Sequence, residues 1–277
     1  MVVVPFSSKD SILAGSPRRV SGRERIPVSA AIITYNEASR IADCIASLDG
    51  LVDQVVVLDS GSQDRTREIA LSYGADVHKE PWIGYGPQKR FAEDLCAHDW
   101  IISIDADERL SPDLADEIRR AFTNGPPQAD AYTLPIADRF PHEDEPASWA
   151  YTYRRIRLYN KRKGRFADSV VHDDVIMEDG ARVLDLTGKV THLSLESLSA
   201  ATNKFNRYTD LQAEDMRARG RRVSGWRVLI EFPLAFGKSY FLRRRCLYGV
   251  WGVIHSVTYA HMRFMRMAKV YENQHLG

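Results

Sequence analysis

The chain has 277 residues, 44% of them hydrophobic and 27% charged, enough to bury a sizeable core in one large domain or two intimate ones. Cys44, Cys96 and Cys246 are too few for a disulfide framework and share no metal-ligand spacing, so a reducing compartment is the expectation. The formal net charge of +1 conceals a polarity: residues 204–277 carry 14 Lys+Arg against 5 Asp+Glu, and residues 1–203 carry 24 against 32. A cationic end suits membrane lipid or a phosphorylated substrate.

Residues 1–26 lack the basic-then-apolar order of a signal peptide and read as a flexible lead-in. Residues 28–34 are short, apolar and β-branched, which predicts a buried strand. Residues 39–48 place Ile41, Cys44, Ile45 and Leu48 on one helical face. A second strand over 54–58 leads to a helix over 64–73, with Gly74 suited to its C-terminal cap. A third strand (75–79), a helix (88–97) and a fourth strand (100–104) follow. Pro112 opens another helix to residue 122 behind the cap residue Ser111. This alternation predicts an α/β fold with a Rossmann-like, mostly parallel sheet flanked by helices on both faces. From residue 131 it gives way to short strands and loops, an α+β half reaching 203. A helical stretch (196–219) and a basic, aromatic helical tail, broken near Pro233 and Gly237, complete the chain. The expected organisation is 1–26, 27–130, 131–203 and 204–277. No segment reaches the roughly 20 apolar residues of a membrane span.

In parallel sheets ligands bind beyond the carboxyl ends of the strands. The residues there are Tyr35, Asn36 and Glu37, then Asp59, Ser60 and Ser62, then Asp105 and Asp107. Asp105-Ala106-Asp107 offers two carboxylates in an extended turn, able to share a Mg or Mn cation with a diphosphate. An acidic loop capping the next helix is the plain alternative. An EF-hand is excluded because the sixth position is Leu110 rather than Gly. Asp59 could accept from the imide N–H of uracil, with Ser60 and Gly61 turning tightly beside base and ribose, or could serve the turn alone. Asp64 reads as a helix cap. Tyr35 could stack on a base and Glu37 hold its ribose, although both also suit a helix entry.

Thr34-Tyr35-Asn36-Glu37, then Asp59-Ser60-Gly61-Ser62 with Asp64 and Thr66, then Asp105-Ala106-Asp107-Glu108, resemble in order and spacing the family 2 glycosyltransferases of GT-A fold. More narrowly, Gly84-Tyr85-Gly86-Pro87-Gln88-Lys89-Arg90-Phe91-Ala92 resembles the bacterial lipopolysaccharide core β-glucosyltransferases. The resemblance implies donor contacts at Tyr35, Glu37, Asp59 and Ser60, a metal and diphosphate motif at Asp105 and Asp107, and sugar or phosphate contacts at Gln88 and Lys89. The base that deprotonates the acceptor would come from Val171-His172-Asp173-Asp174, which resembles a Val-His-Glu segment of the family. Asp173 is the first choice and Asp174 the second, an exposed acidic turn being the alternative. Arg157 and Arg165 could hold donor diphosphate or a phosphorylated acceptor, or lie solvated on the surface. His192 resembles a family histidine and is a candidate third metal ligand, while a lone histidine is more often a hydrogen-bonded structural residue.

Residues 216–271 hold 12 Lys+Arg against one acid, Glu231, interleaved with aromatics. This pattern predicts an interfacial helix pair on an anionic membrane surface. No nucleic-acid motif accompanies it, and packing on the catalytic half or a homo-oligomeric contact are further readings. The expected protein is a cytoplasmic, membrane-peripheral enzyme. It would transfer a sugar, glucose by resemblance, from a UDP-sugar to a lipid-linked or lipopolysaccharide-core glycan, with inversion and a divalent cation. The rivals are a nucleotidyltransferase, for which no Gly-rich basic loop follows the first strand, and a non-catalytic glycan-binding protein.

Overall fold

The computed structural model describes residues 24–123, 125–140, 143–170, 173–193 and 197–276. Most of the expected lead-in, and His172, lie outside the described residues. Strands β1 (Ile26–Thr34), β2 (Val52–Asp59) and β3 (Asp76–Lys79) alternate with helices α1 (Ile41–Ala46), α2 (Thr66–Ser72) and α3 (Tyr85–Asp94). There follow β4 (Trp100–Ser103), β5 (Glu108–Leu110), α4 (Pro112–Thr123), β6 (Ala131–Asp138) and β7 (Thr152–Asn160). Four short strands come next: β8 (Gly164–Phe166), β9 (Val175–Met177), β10 (Val183–Asp185) and β11 (Val190–His192). Helices α5 (Leu198–Ala218), α6 (Gly225–Gly237) and α7 (Gly249–Leu276) end the chain, with a π turn (Lys238–Leu242) and a 3-10 turn (Arg245–Tyr248) between the last two.

The main sheet runs β3-β2-β1-β4-β7-β6-β11-β5, with β10 also paired to β6. Its first four strands are mutually parallel. β7 then enters antiparallel between β4 and β6. β4 pairs with β7 and β5 with β11, so the expected halves before and after residue 130 share one continuous sheet. A separate ribbon, β8–β9, carries residues 167–170 and 173–174 at its turn end.

The alternation within β1 explains how both faces are covered. Val28, Ala30 and Ile32 pack in one cluster with Ile41, Ile45 and Leu48 of the α1 region and with Leu114 and Ile118 of α4. Ala31 points the other way and packs with Ala92 of α3, Tyr159 and Phe166. Strands buried on both faces read as continuous apolar runs, which is why β1, β2 and β4 are recognisable in the sequence. Ser111 caps α4 as its sequence suggests, its hydroxyl accepting from Leu114 N–H at 3.2 Å.

Two expectations need correction, and one element was not foreseen. The helix expected from residue 88 begins at Tyr85, because Pro87 falls in its first turn, where a missing N–H costs nothing. Pro233 does not break the tail, since it lies inside α6; the helix ends at Gly237, as the sequence suggests, and the break falls at 238–248. The acidic segment after β4 returns at once as strand β5. Among the described residues, no helix is long and apolar enough to cross a membrane.

A buried polar knot ties α3 to the sheet. Fully buried Glu93 accepts from the Tyr159 hydroxyl at 2.5 Å, from Arg165 Nε at 2.7 Å and from Phe166 N–H at 3.3 Å. Glu93→Ala would strand the buried Tyr159 hydroxyl and leave Arg165 with Asp94 and Arg90 O alone, and should lower unfolding stability by about 3 kcal/mol. A urea titration reads this directly; a loss within experimental error would show that the knot is not holding α3.

Candidate functional site

The loops after β1 and β2 are stitched into one rim. Asn36 adopts the left-handed region (φ 55), which an Asn tolerates better than most residues. Its N–H donates to Ser62 Oγ at 2.8 Å, and its side-chain oxygen accepts from Gln63 N–H at 2.9 Å. Glu37 N–H donates to Thr66 Oγ1 at 2.8 Å. Asp64 accepts from Ala38 N–H at 3.1 Å and from Thr66 N–H at 3.0 Å; it stands one residue before Arg65, the N-cap of α2, so it ties the two loops together rather than occupying the cap position expected of it. Fully buried Asp59 accepts from the N–H groups of Gly61 and Ser62 at 3.0 and 2.9 Å and from the Ser62 hydroxyl. Its carboxylate therefore holds the turn. Ser60 Oγ accepts from buried Gln88 at 3.2 Å, which fastens the rim to α3. Tyr35 stands exposed at the edge.

The centre of the site is Lys89. Its buried ammonium lies 2.8 Å from Asp105 Oδ1 and 2.8 Å from Asp173 Oδ2, and 5.0 Å over the Phe166 ring. The other oxygen of Asp105 meets Arg157 Nη2 at 2.8 Å, and Arg157 also reaches Glu108 at 3.1 Å. Glu108 in turn accepts from Asp105 N–H at 2.9 Å. Burial disfavours the charge on Asp105, but Arg157 and Lys89 overcome it and hold the carboxyl well below the usual range. Burial likewise opposes the Lys89 charge, and Asp105 more than restores it.

Asp173 reaches Lys89 because the segment after β8 docks on the start of α3. Tyr85 N–H donates to Val170 O at 3.1 Å and Gly86 N–H to Ser169 O at 2.9 Å. A Cβ on Gly86 would stand 2.0 Å from Ala167 O, so the close approach needs glycine. Asp174 instead faces Arg155 at 3.6 Å and is largely exposed. Both carboxylates border a hollow of about 210 Å³ lined also by Thr133, Arg154 and Arg155.

On the opposite side, Asp107 Oδ2 faces His192 Nε2 at 3.5 Å, and His192 Nδ1 meets Asp138 Oδ1 at 3.0 Å. Burial works against a charged His192, yet its bonds to Asp107 and Asp138 hold the ring well above the usual histidine range. Lys204 and Arg40 approach Asp107 at 3.7 and 3.9 Å. Arg40 also binds Glu37 at 2.5 Å. Burial pushes Glu37 up to about 7, although Arg40 pulls the other way.

The structure thus brings Lys89, Asp105, Asp173 and Arg157 into one network, and Asp107 and His192 into an adjoining one. Arg165 stands apart, bound to Glu93 and Asp94; Arg157 and Arg165 are both held in ion pairs rather than solvated. His192 is hydrogen-bonded, as the plain reading of a lone histidine has it. Glu108, Arg40 and Asp138 carry contacts that sequence reasoning gave no role. Glu108 lay in the acidic motif but was hidden by its two aspartates, and Arg40 and Asp138 stand in segments without a motif. Among the described residues, no group of three or more His, Cys, Asp and Glu is arranged to hold a metal ion. Both Asp105 oxygens face cations, and Asp107 faces His192, Lys204 and Arg40, so a metal ion at Asp107 and His192 would need a neutral His192 turned away from its present carboxylate partners.

Residues 29–177 match the family described as glycosyl transferase family 2. The chain is 37% identical over 254 residues to an uncharacterised glycosyltransferase of Rickettsia prowazekii, covering 88% of this chain and 86% of that protein. It is 30% identical over 264 residues to the lipopolysaccharide core biosynthesis glycosyltransferase LpsC of Rhizobium meliloti, covering 91% and 94%. A crystal structure of glucosyl-3-phosphoglycerate synthase from Mycobacterium tuberculosis, with Mn2+, UDP and glucosyl-3-phosphoglycerate, is 26% identical over 41% of this chain and 44% of that one, with a TM-score of 0.34. The chain belongs to glycosyl transferase family 2. It is a glycosyltransferase, and the nucleotidyltransferase reading falls away.

Lys89→Met keeps the length of the side chain and removes its charge. It leaves Asp105 with Arg157 alone, and should lower stability by about 2 kcal/mol. Lys89→Arg should not restore it, because a planar fork cannot replace a compact ammonium between two carboxylates. Thermal unfolding of both variants checks this; a wild-type transition in Lys89→Met would contradict the ion-pair account.

Proposed function

We propose that this enzyme transfers a hexose, glucose by the narrower resemblance, with inversion, from a UDP-sugar to a lipid-linked glycan such as the lipopolysaccharide inner core. The observation that carries the reading is the Lys89 bridge, which sets the Asp105 end of β4 beside Asp173. In this reading Tyr35, Glu37 and the turn held by Asp59 and Ser60 receive the uridine, with Gln88 fixing Ser60. Asp173 takes the proton from the acceptor hydroxyl as its oxygen attacks the anomeric carbon. The bond from that carbon to the diphosphate breaks, and UDP leaves with the electron pair. Lys89, 2.8 Å away, holds the Asp173 carboxylate in place for that transfer. Asp174, paired to Arg155, is the weaker candidate for the base.

Asp107 and His192 would hold a Mg or Mn ion, with Asp105 behind them, and the cation would offset charge on the departing diphosphate. The hollow beside Asp173 suits the acceptor. The kinship with LpsC, named for lipopolysaccharide core biosynthesis, supports the acceptor class. The cationic helical region supports a peripheral place on the cytoplasmic face of an anionic membrane.

Asp173→Asn should cut transfer by at least about a hundredfold and leave UDP affinity intact. Asp107→Ala should abolish transfer and also the Mn2+-dependent part of UDP binding. Product formation from UDP-glucose and calorimetry with UDP, with and without Mn2+, read both. Full transfer in Asp173→Asn would remove it as the base, and unchanged Mn2+-dependent binding in Asp107→Ala would remove that residue from the cation.

A further inference from the structure

The basic residues of the C-terminal region are not equally available. Lys269 is bound to Asp210 at 2.6 Å, Arg227 and Arg263 converge on buried Glu231 at 2.7 and 2.8 Å, and Arg219 pairs with Asp215. Exposed Arg217, Arg221 and Arg222 take part in no ion pair among the described residues, and neither do Lys238 and Arg244, two exposed cations of the turn between α6 and α7. Residues 234–253 hold four basic side chains and no acid. The same turn presents Phe241, Leu242, Leu247 and Val250 at 65, 74, 58 and 75% exposure. Large apolar side chains this exposed, side by side with unpaired cations, mark an interaction surface.

The turn is firmly rooted. Arg245 donates to Ser239 Oγ at 3.1 Å and to His255 O at 3.0 Å, and Arg243 stacks between Tyr151 and Tyr259 at 4.9 and 4.5 Å. Arg245 also lies 3.9 Å from Asp138, whose other oxygen meets His192. The exposed apolar cap is therefore one ion pair away from the Asp107–His192 side of the site.

We infer that residues 238–250 are a docking wedge for an anionic lipid surface: the apolar side chains enter the headgroup boundary and Lys238 and Arg244 meet lipid phosphates. Charge decides between occupants. A two-fold contact of this surface with its own copy would set the unpaired Lys238 and Arg244 against their counterparts, whereas an anionic bilayer satisfies both these cations and the apolar side chains. The inference deepens the membrane side of the functional reading and rests on it. It narrows the attachment from the whole helical tail to one turn, and places the site next to the headgroups, where the acceptor sugar would be one close to its lipid.

The test uses the full chain, with vesicles of phosphatidylcholine alone or mixed with phosphatidylglycerol. Wild type should co-sediment with the mixed vesicles and poorly with the neutral ones. Phe241→Ser/Leu242→Ser and Lys238→Gln/Arg244→Gln should each weaken binding to mixed vesicles by about tenfold or more. Both variants should keep wild-type circular dichroism and UDP–Mn2+ affinity in solution, so a failed donor site would show separately from a failed wedge. Undiminished vesicle binding in both variants would overturn the inference. So would a wild-type dimer that Phe241→Ser/Leu242→Ser converts to monomer, which would assign the face to a second copy.

Discussion

A single buried ammonium held between two carboxylates organises this molecule. Lys89 stands 2.8 Å from Asp105 and from Asp173, which lie 68 residues apart in sequence and on different parts of the fold. Taking a lysine and an aspartate out of water costs several kcal/mol per ion, and only close, complete pairing offsets it. The structure supplies that pairing through Arg157 and Glu108 on one side and the docked segment before Asp174 on the other. The position of the segment thus depends on the charge balance at the end of β4. The glycine at 86 lets the backbone of that segment approach α3 closely enough for Asp173 to reach.

Much of the parallel half is legible in the sequence because burial on both faces leaves apolar runs at β1, β2 and β4, and because short polar segments follow each run. The motif residues could be located for the same reason. What each carboxylate touches could not. Asp59, Asp105 and Asp107 look alike as letters, yet Asp59 closes its own turn, Asp105 is neutralised by two buried cations, and Asp107 faces a histidine. Those differences come from residues distant in sequence, such as Arg157, His192 and Lys204. The start of α3 was obscured because Gly-Pro reads as a breaker, although proline in a first turn is harmless. Glu93 and Glu108 were unreadable as interior residues, since only their partners Tyr159, Arg165 and Arg157 make burial of a glutamate tolerable.

The C-terminal helices show the limit of counting charges. Twelve basic residues against one acid over 216–271 suggest a uniformly cationic surface. In the fold, Glu231 gathers Arg227 and Arg263, and Asp210 holds Lys269. At the turn before α7, free cations and highly exposed apolar side chains occur together. Arg245 links that turn to Asp138 and so to His192. Packing has converted a diffuse compositional signal into a local surface close to the site.

The most direct test of the central claim is a double-mutant cycle on kcat/KM for sugar transfer, built from Lys89→Met, Asp173→Asn and their combination. If Lys89 acts by holding Asp173, removing it matters little once Asp173 is neutral, and the cycle should show a coupling energy above about 1 kcal/mol. Effects that add to within about 0.5 kcal/mol would mean that the two residues act independently, and the bridge would not be what assembles the site.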